Sequence, residues 1–237
     1  CGRCAATIEH FFGGFSMRQL GRVGAEREAT LPREFYMGAG ALTPEHLHSL
    51  SFQILQIARL QPRRVLEVGI GNGFVSTYLR QMGIEVVTAD INPALAPDVC
   101  APLHELPERL AGQRFDVVSC CEVLEHMPFE QFDGHVCTLA RLGTHAFISL
   151  PGHWVWAGLA GRLGIHNRFV DLCLGVRIPN RRRLTDGHYW ELDSQWATRR
   201  SAVRRHLGKH YERVQAGVFP MHRYHYFFRC LNSRPAA

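Results

Sequence analysis

Glu67, Gly69, Gly71 and Gly73 stand at alternating positions, and Asp90 closes the β-rich stretch that follows. Glycine has no Cβ, so three of them in one loop let the backbone turn tightly against a ligand. A carboxylate beside that loop, Glu67, is a poor neighbour for a pyrophosphate and suits a ligand with positive charge. Asp90 can accept hydrogen bonds from the two hydroxyls of a ribose. Further on, Glu122-Val123-Leu124-Glu125-His126 supplies an imidazole able to titrate near neutral pH, a candidate general base. Ordering its own loop is the plainer role for His126. His188 with Glu191 is a second candidate acid–base pair. Arg181, Arg182 and Arg183 could grip a phosphate or carboxylate bidentately, with Tyr189 as a further substrate contact, although a run of arginines is often only a solvated loop. The sequence shows no carboxylates paired at helical spacing with a histidine on the same face, so no metal is expected.

The elements that must position these groups follow from periodicity. Val65, Leu66 and Val68 suit a strand buried on both faces. Phe74 to Met82 has helical apolar spacing, with Gly83 as its stop, and Glu85 to Ile91 is a second strand. Phe115 to Cys121 and His145 to Leu150 read as further strands around a helix from Pro128 to Leu142. Such alternation implies an open α/β sheet whose ligand lies at the carboxyl ends of its strands. Upstream, Ile8, Phe11, Phe12, Phe15 and Leu20 make one helical stripe. Thr43 caps a second helix that Pro44 opens, with Leu47, Leu50, Ile54, Leu55, Ile57 and Ala58 as its apolar face. Phe35, Tyr36 and Met37, just before it, are expected to pack rather than to meet a cofactor.

The pattern E-x-G-x-G-x-G at 67–73 resembles the first motif of the class I S-adenosylmethionine-dependent methyltransferases, in particular an uncharacterised bacterial subgroup of the type 11-like enzymes. The resemblance continues through Thr88-Ala89-Asp90-Ile91-Asn92, through 115–127 and through 145–152, in the family's order. It implies a Rossmann-like doubly wound sheet of seven strands, mostly parallel with the last antiparallel, and flanking helices. Glu212 to Pro220 and Arg223 to Leu231 would supply its last two strands. It also implies S-adenosyl-L-methionine as cofactor, held by Glu67, Gly69, Gly71, Gly73, Asp90, Ile91, Leu103 and Glu122. The adenine-binding acid of the subgroup is replaced here by Pro102, so either Asp98 substitutes or backbone groups and stacking hold the ring. The implied reaction is methylation, on oxygen or nitrogen, of a small-molecule or lipid-linked acceptor.

The chain is expected to divide into N-terminal helices over 1–60, a cofactor-binding core over 61–150, a substrate-side cap over 151–192, and a C-terminal helix and hairpin over 193–237. In the cap, Trp154, Trp156, Phe169, Leu172 and Leu174 could cover an apolar acceptor or touch a membrane; burial against the N-terminal helices is the expectation. Trp196, Val203 and Leu207 are expected to face inward from a helix over 193–210. From Pro151 onward there are 15 basic and 5 acidic residues, against 12 and 16 before it. That basic half suits an acidic acceptor or an anionic lipid surface; a solvated arginine-rich face is the plain alternative. Nucleic acid is not expected, for the N/D-P-P-Y/F motif of base methylation is missing. With 46% hydrophobic and 20% charged residues, no long apolar run and no secretory pattern, the composition fits a cytoplasmic enzyme. The eight cysteines are scattered, and Cys1 and Cys4 lack the second pair that a structural zinc needs. Two rivals keep the fold. An NAD-dependent oxidoreductase is disfavoured by the loop spacing and Glu67, whereas a regulator that binds the cofactor without turnover remains open because of Pro102. Oligomeric state is not legible in the sequence.

Overall fold

The computed structural model describes residues 24–38, 41–166, 168–179, 182–219 and 222–235. The stripe at 5–20, Cys1, Cys4 and Arg181 lie outside them. Strands β1 (Arg64–Val68), β2 (Glu85–Asp90), β3 (Val99–Cys100), β4 (Phe115–Cys121), β5 (Gly143–Pro151), β8 (Tyr211–Phe219) and β9 (His222–Ser233) form one sheet, in the order β3-β2-β1-β4-β5-β9-β8. β9 runs antiparallel to both neighbours and the first five strands are mutually parallel. The seven-stranded sheet with one inserted antiparallel strand is therefore the observed one. Strands β6 (Trp154–Ile165) and β7 (Arg168–Pro179) pair only with each other.

The described α-helices are α1 (Ala25–Glu28), α2 (Arg33–Met37), α3 (Pro44–Ala58), α4 (Phe74–Gln81), α5 (Leu106–Arg109), α6 (Phe132–Leu142) and α7 (Arg200–His210). Thr43 caps α3 as expected, its hydroxyl accepting from the His46 amide at 3.2 Å. Leu50, Ile54 and Ile57 are buried from α3, together with Val75 and Leu79 of α4, against Val65, Val117 and Phe147. Leu47 and Leu55, assigned to the same apolar face, are exposed. α6 and α7 cover the other side of the sheet, where Val136, Leu139, Val203 and Leu207 meet Val118, Ile148 and Phe228. Trp190 anchors this layer between Phe129 and Phe132, donating its indole N–H to the Met127 carbonyl at 3.0 Å.

Three expectations are corrected. The helix predicted over 193–210 begins only at Arg200, because Asp193 turns back to accept from the Arg200 amide and guanidinium. Trp196 is consequently outside the helix and 76% exposed, beneath the Arg199 guanidinium. Among the described residues, the apolar side chains of the β6–β7 hairpin are not buried against the N-terminal helices. Trp154 is buried, but Leu172 and Leu174 on the β6–β7 hairpin face solvent; the Phe169 side chain is not described. None of the described β6 or β7 side chains lines the main cavity, whereas Thr185 and Tyr189 of the loop that follows do.

Candidate active site

The carboxyl ends of β1, β2 and β4 open onto one cavity of about 1390 Å³. After β1 the chain must turn at once into α4, and the glycine loop makes this possible. Gly69 has φ 82°, and a Cβ there would collide with the Val123 side chain. Gly71 has φ 51° and open space where a Cβ would be, leaving backbone facing the cavity. Glu67, Gly69, Gly71, Asp90, Ile91, Leu103 and Glu122 all line it, together with Pro102. Gly73 does not. It starts α4 in the left-handed conformation and borders a smaller neighbouring cleft.

Asp90 braces this edge. Its Oδ2 accepts from the Ile70 amide at 2.9 Å and its Oδ1 from the Asn92 amide at 2.8 Å. Each oxygen keeps a lone pair for a further donor. Burial raises the Asp90 pKa, while these backbone donors oppose the shift. Glu67 is buried, one of its oxygens has no hydrogen-bond partner, and burial pushes its pKa up to about 7 against Ser76. Asp98 is engaged within the protein. It is bound to Arg80 at 2.6 Å and to the Thr88 amide and hydroxyl, both at 2.8 Å, and it lies outside the cavity. Burial is the largest single influence and raises its pKa, but those donors together outweigh it and hold the carboxyl below the usual range. Pro102 and Leu103, by contrast, line the cavity.

At the far side, Glu122 has φ 54°, a left-handed conformation uncommon for a residue with a Cβ. It is fixed by side chains distant in sequence. The Ser149 hydroxyl donates to its Oε1 at 2.8 Å, and His225 Nε2 lies 3.1 Å from its Oε2. His225 Nδ1 is in turn 2.9 Å from the Ser49 hydroxyl of α3. Burial pushes the Glu122 pKa up to about 8. Glu125 is wholly buried, neither of its oxygens has a hydrogen-bond partner, and burial with the nearby Glu122 raises it well above its ordinary value.

His126 lines the cavity; His188 does not. The rings meet edge-to-face at 4.9 Å, so His188 backs His126. His126 Nδ1 is 3.1 Å from the Gly187 carbonyl, which can only accept, so this nitrogen carries the hydrogen and Nε2 is bare in the neutral ring. Burial lowers the His126 pKa, Glu28 opposing at 3.8 Å and His188 reinforcing. The ligating atoms of Glu125, His126 and His188 lie within 4.8 Å of one another, a grouping able to hold a metal ion. No local spacing announces this grouping, because His188 is brought in from a separate loop.

His188 and Glu191 are paired at 3.2 Å as expected, but Glu191 is not free for acid–base work. It also binds Arg182, His153 at 3.0 Å and the Thr185 amide at 2.9 Å. Against its own burial, these partners hold its carboxyl far below the usual range. Thus the arginine run grips an internal carboxylate through Arg182. Arg183 is exposed and does not line the cavity. Tyr189 does line it, its amide donating to the Glu125 carbonyl at 2.9 Å.

The segment 24–38 closes one wall. Asn92 donates from its side chain to the Glu28 and Leu31 carbonyls at 2.9 and 2.8 Å, and Tyr36 donates to Glu28 at 2.8 Å. Phe35 and Tyr36 border the cavity, contrary to a purely packing role, and Cys121, Tyr224 and His225 border it too. Glu28, Tyr224 and Ser49 carry no local motif; only the strand alternation around His225 could have pointed to this edge.

A family described as "Methyltransferase domain" matches residues 45–212. The chain is 36% identical over 107 residues to the ubiquinone biosynthesis O-methyltransferase of Azotobacter vinelandii, covering 38% of this chain and 45% of that protein. It is also 36% identical over 127 residues to the protein of the same name from Xanthomonas axonopodis, covering 46% and 50%. The chain thus spans about half the length of the curated relatives it matches. Its fold is similar to that of magnesium protoporphyrin IX methyltransferase from Synechocystis, solved with bound SAH, at TM-score 0.54 and 16% identity over 84% of this chain and 92% of that one. With the motif match running from α3 into β8 and the sheet order in agreement, the chain belongs to the class I S-adenosylmethionine-dependent methyltransferases, within the methyltransferase-domain family.

Proposed function

We propose that the chain binds S-adenosylmethionine along the carboxyl edge of β1 and β2 and transfers its methyl group to a hydroxyl of a small or lipid-linked acceptor. The observation that carries this reading is the meeting of Glu67, Gly71, Asp90 and His126 on one cavity. The names of the relatives, which are O-methyltransferases of quinone biosynthesis, support the choice of oxygen. Asp90 would take the ribose hydroxyls, and the unpartnered oxygen of Glu67 would face the cationic, amino acid end of the cofactor. Methyl transfer is an in-line displacement in which the sulfonium charge disperses, so alignment and exclusion of water do most of the work. A hydroxyl must also lose a proton. His126 is suited to receive it, because its Nε2 is bare and burial keeps the ring neutral at pH 7. His188 and Glu191 would position His126 rather than react, and Tyr189 would border the acceptor. Peripheral membrane contact and a cytoplasmic location accord with this reading, and no helix among the described residues is long and apolar enough to cross a membrane.

Calorimetric titration with S-adenosylhomocysteine, with NAD as control, tests the cofactor assignment. Micromolar binding of the first ligand alone is expected, weakened about tenfold or more in Asp90→Ala, the loss expected for a charged hydrogen-bond acceptor. Binding of NAD instead would overturn the reading. The same titration should depend on pH through Glu67. A carboxylate facing a cation binds it in the ionised form, so raising the pH through about 7 strengthens binding. From pH 6 to pH 8 the affinity should rise about tenfold, because a carboxyl with a pKa of about 7 goes from roughly a tenth to roughly nine tenths ionised, and Glu67→Gln should remove the slope.

A further inference from the structure

We propose that the β6–β7 hairpin docks the chain onto an anionic lipid surface. The two strands pair over their whole length, Trp154 with Pro179 through Ile165 with Arg168. Residues paired across an antiparallel ladder share a face, and side chains alternate along each strand. One face therefore carries Val155 with Ile178, Ala157 with Val176, Leu159 with Leu174, Gly161 with Leu172, and Leu163 with Val170. The only polar residue on it is Arg168, opposite Ile165 at the tip. Leu159 is 79% exposed, Ile165 83% and Leu174 76%; the other large side chains of this face are exposed as well. Nine large apolar side chains in one patch exceed what a chain ordinarily leaves against water. A two-stranded ribbon is also marginal in water without something to cover it.

The hairpin is fixed at its base, so its apolar face is held outward. Trp154 is buried beside Tyr226, and the Arg177 guanidinium lies 4.9 Å from the Trp154 ring and 5.6 Å from that of Tyr226.

Charge and composition favour lipid as the occupant. The apolar face has no hydrogen-bonding side chain along its length to fix the register of a protein partner, whereas a hydrocarbon surface asks for none. Arg168 stands at the tip, and the chain from Pro151 onward holds 15 basic against 5 acidic residues, complementary to anionic headgroups. The ribbon has two open edges whose backbone groups need water or headgroups, so it lies in the interface and does not span the bilayer. This docking is independent of the cofactor site.

Flotation with vesicles of phosphatidylcholine alone and of phosphatidylcholine with phosphatidylglycerol at about 3:1 tests the proposal. The chain should float with the anionic vesicles, less so at high salt. The double variant Leu159→Ser with Leu174→Ser should lose at least about tenfold in vesicle partitioning, from the apolar area removed. Both side chains face solvent, so its affinity for S-adenosylhomocysteine and its melting temperature should match the unaltered chain, which separates lost docking from lost folding. Absence of binding to either vesicle, or equal binding by the variant, would overturn the proposal. So would a dimer in sedimentation without lipid that the double variant converts to monomer, since a second copy would then be the occupant.

Discussion

His126→Ala should lower kcat by about 10²–10⁴-fold, the range for a lost general base, while the affinity for S-adenosylhomocysteine changes by less than about threefold. The split follows from position. His126 lines the cavity beyond the glycine loop, whereas the proposed cofactor contacts at Asp90 and Glu67 belong to other strands. The pH profile of kcat/KM for the acceptor, taken at saturating cofactor so that Glu67 does not contribute, gives an independent check. Burial lowers the His126 pKa, so the ascending limb should bend below 6.5, the ordinary imidazole value, and be flat above it. A limb centred near 8 would instead name Glu122 as the proton acceptor, since its carboxyl is pushed up to about 8. Equal losses in turnover and in cofactor affinity would make His126 structural.

Glu191→Gln should destabilise the fold by about 3–5 kcal/mol, the usual cost of removing one partner from a buried ionic cluster. Glu191 is fully buried and joins Arg182, His153, His188 and the Thr185 amide, so the substitution leaves cationic and polar groups without their shared acceptor. Urea unfolding at pH 7 should show the loss directly. The depressed pKa sets its pH dependence. A carboxyl whose folded pKa lies below its ordinary 4.5 contributes stability that is present above 4.5 and lost as the pH falls toward the folded value. The unaltered chain should therefore lose stability on acidification below about 4.5, and the variant should lack that part of the decline. An unchanged urea midpoint at pH 7 would refute the role of Glu191 as the tie of this loop.

The sequence by itself determined the half of the molecule built from one strand–helix–strand unit and its parallel neighbours. Strand-buried Val65 and Leu66, the turn at Gly69 and Gly71, the helix from Phe74 and the carboxylate at Asp90 are coupled through short stretches of backbone. Local period and glycine stereochemistry suffice there, and the same holds for the cap at Thr43. Tertiary structure alone decided the other half of the site. Glu122 is set by Ser149 and by His225 of β9, His126 is backed by His188, and Glu28 reaches the wall through Asn92. Each contact depends on strand order and register, which bring residues far apart in the chain to one sheet edge. Asp98 and Arg182 show the same limit in reverse. Their residue types suit a ligand, yet Arg80 with Thr88 and Glu191 respectively reach them first, because a buried or half-buried charge is stabilised by whichever partner the fold places beside it. The hairpin at 154–179 departs from the expected burial for a related reason. An apolar run reports that a segment avoids water, but only the packing of the surrounding elements decides whether protein is there to cover it.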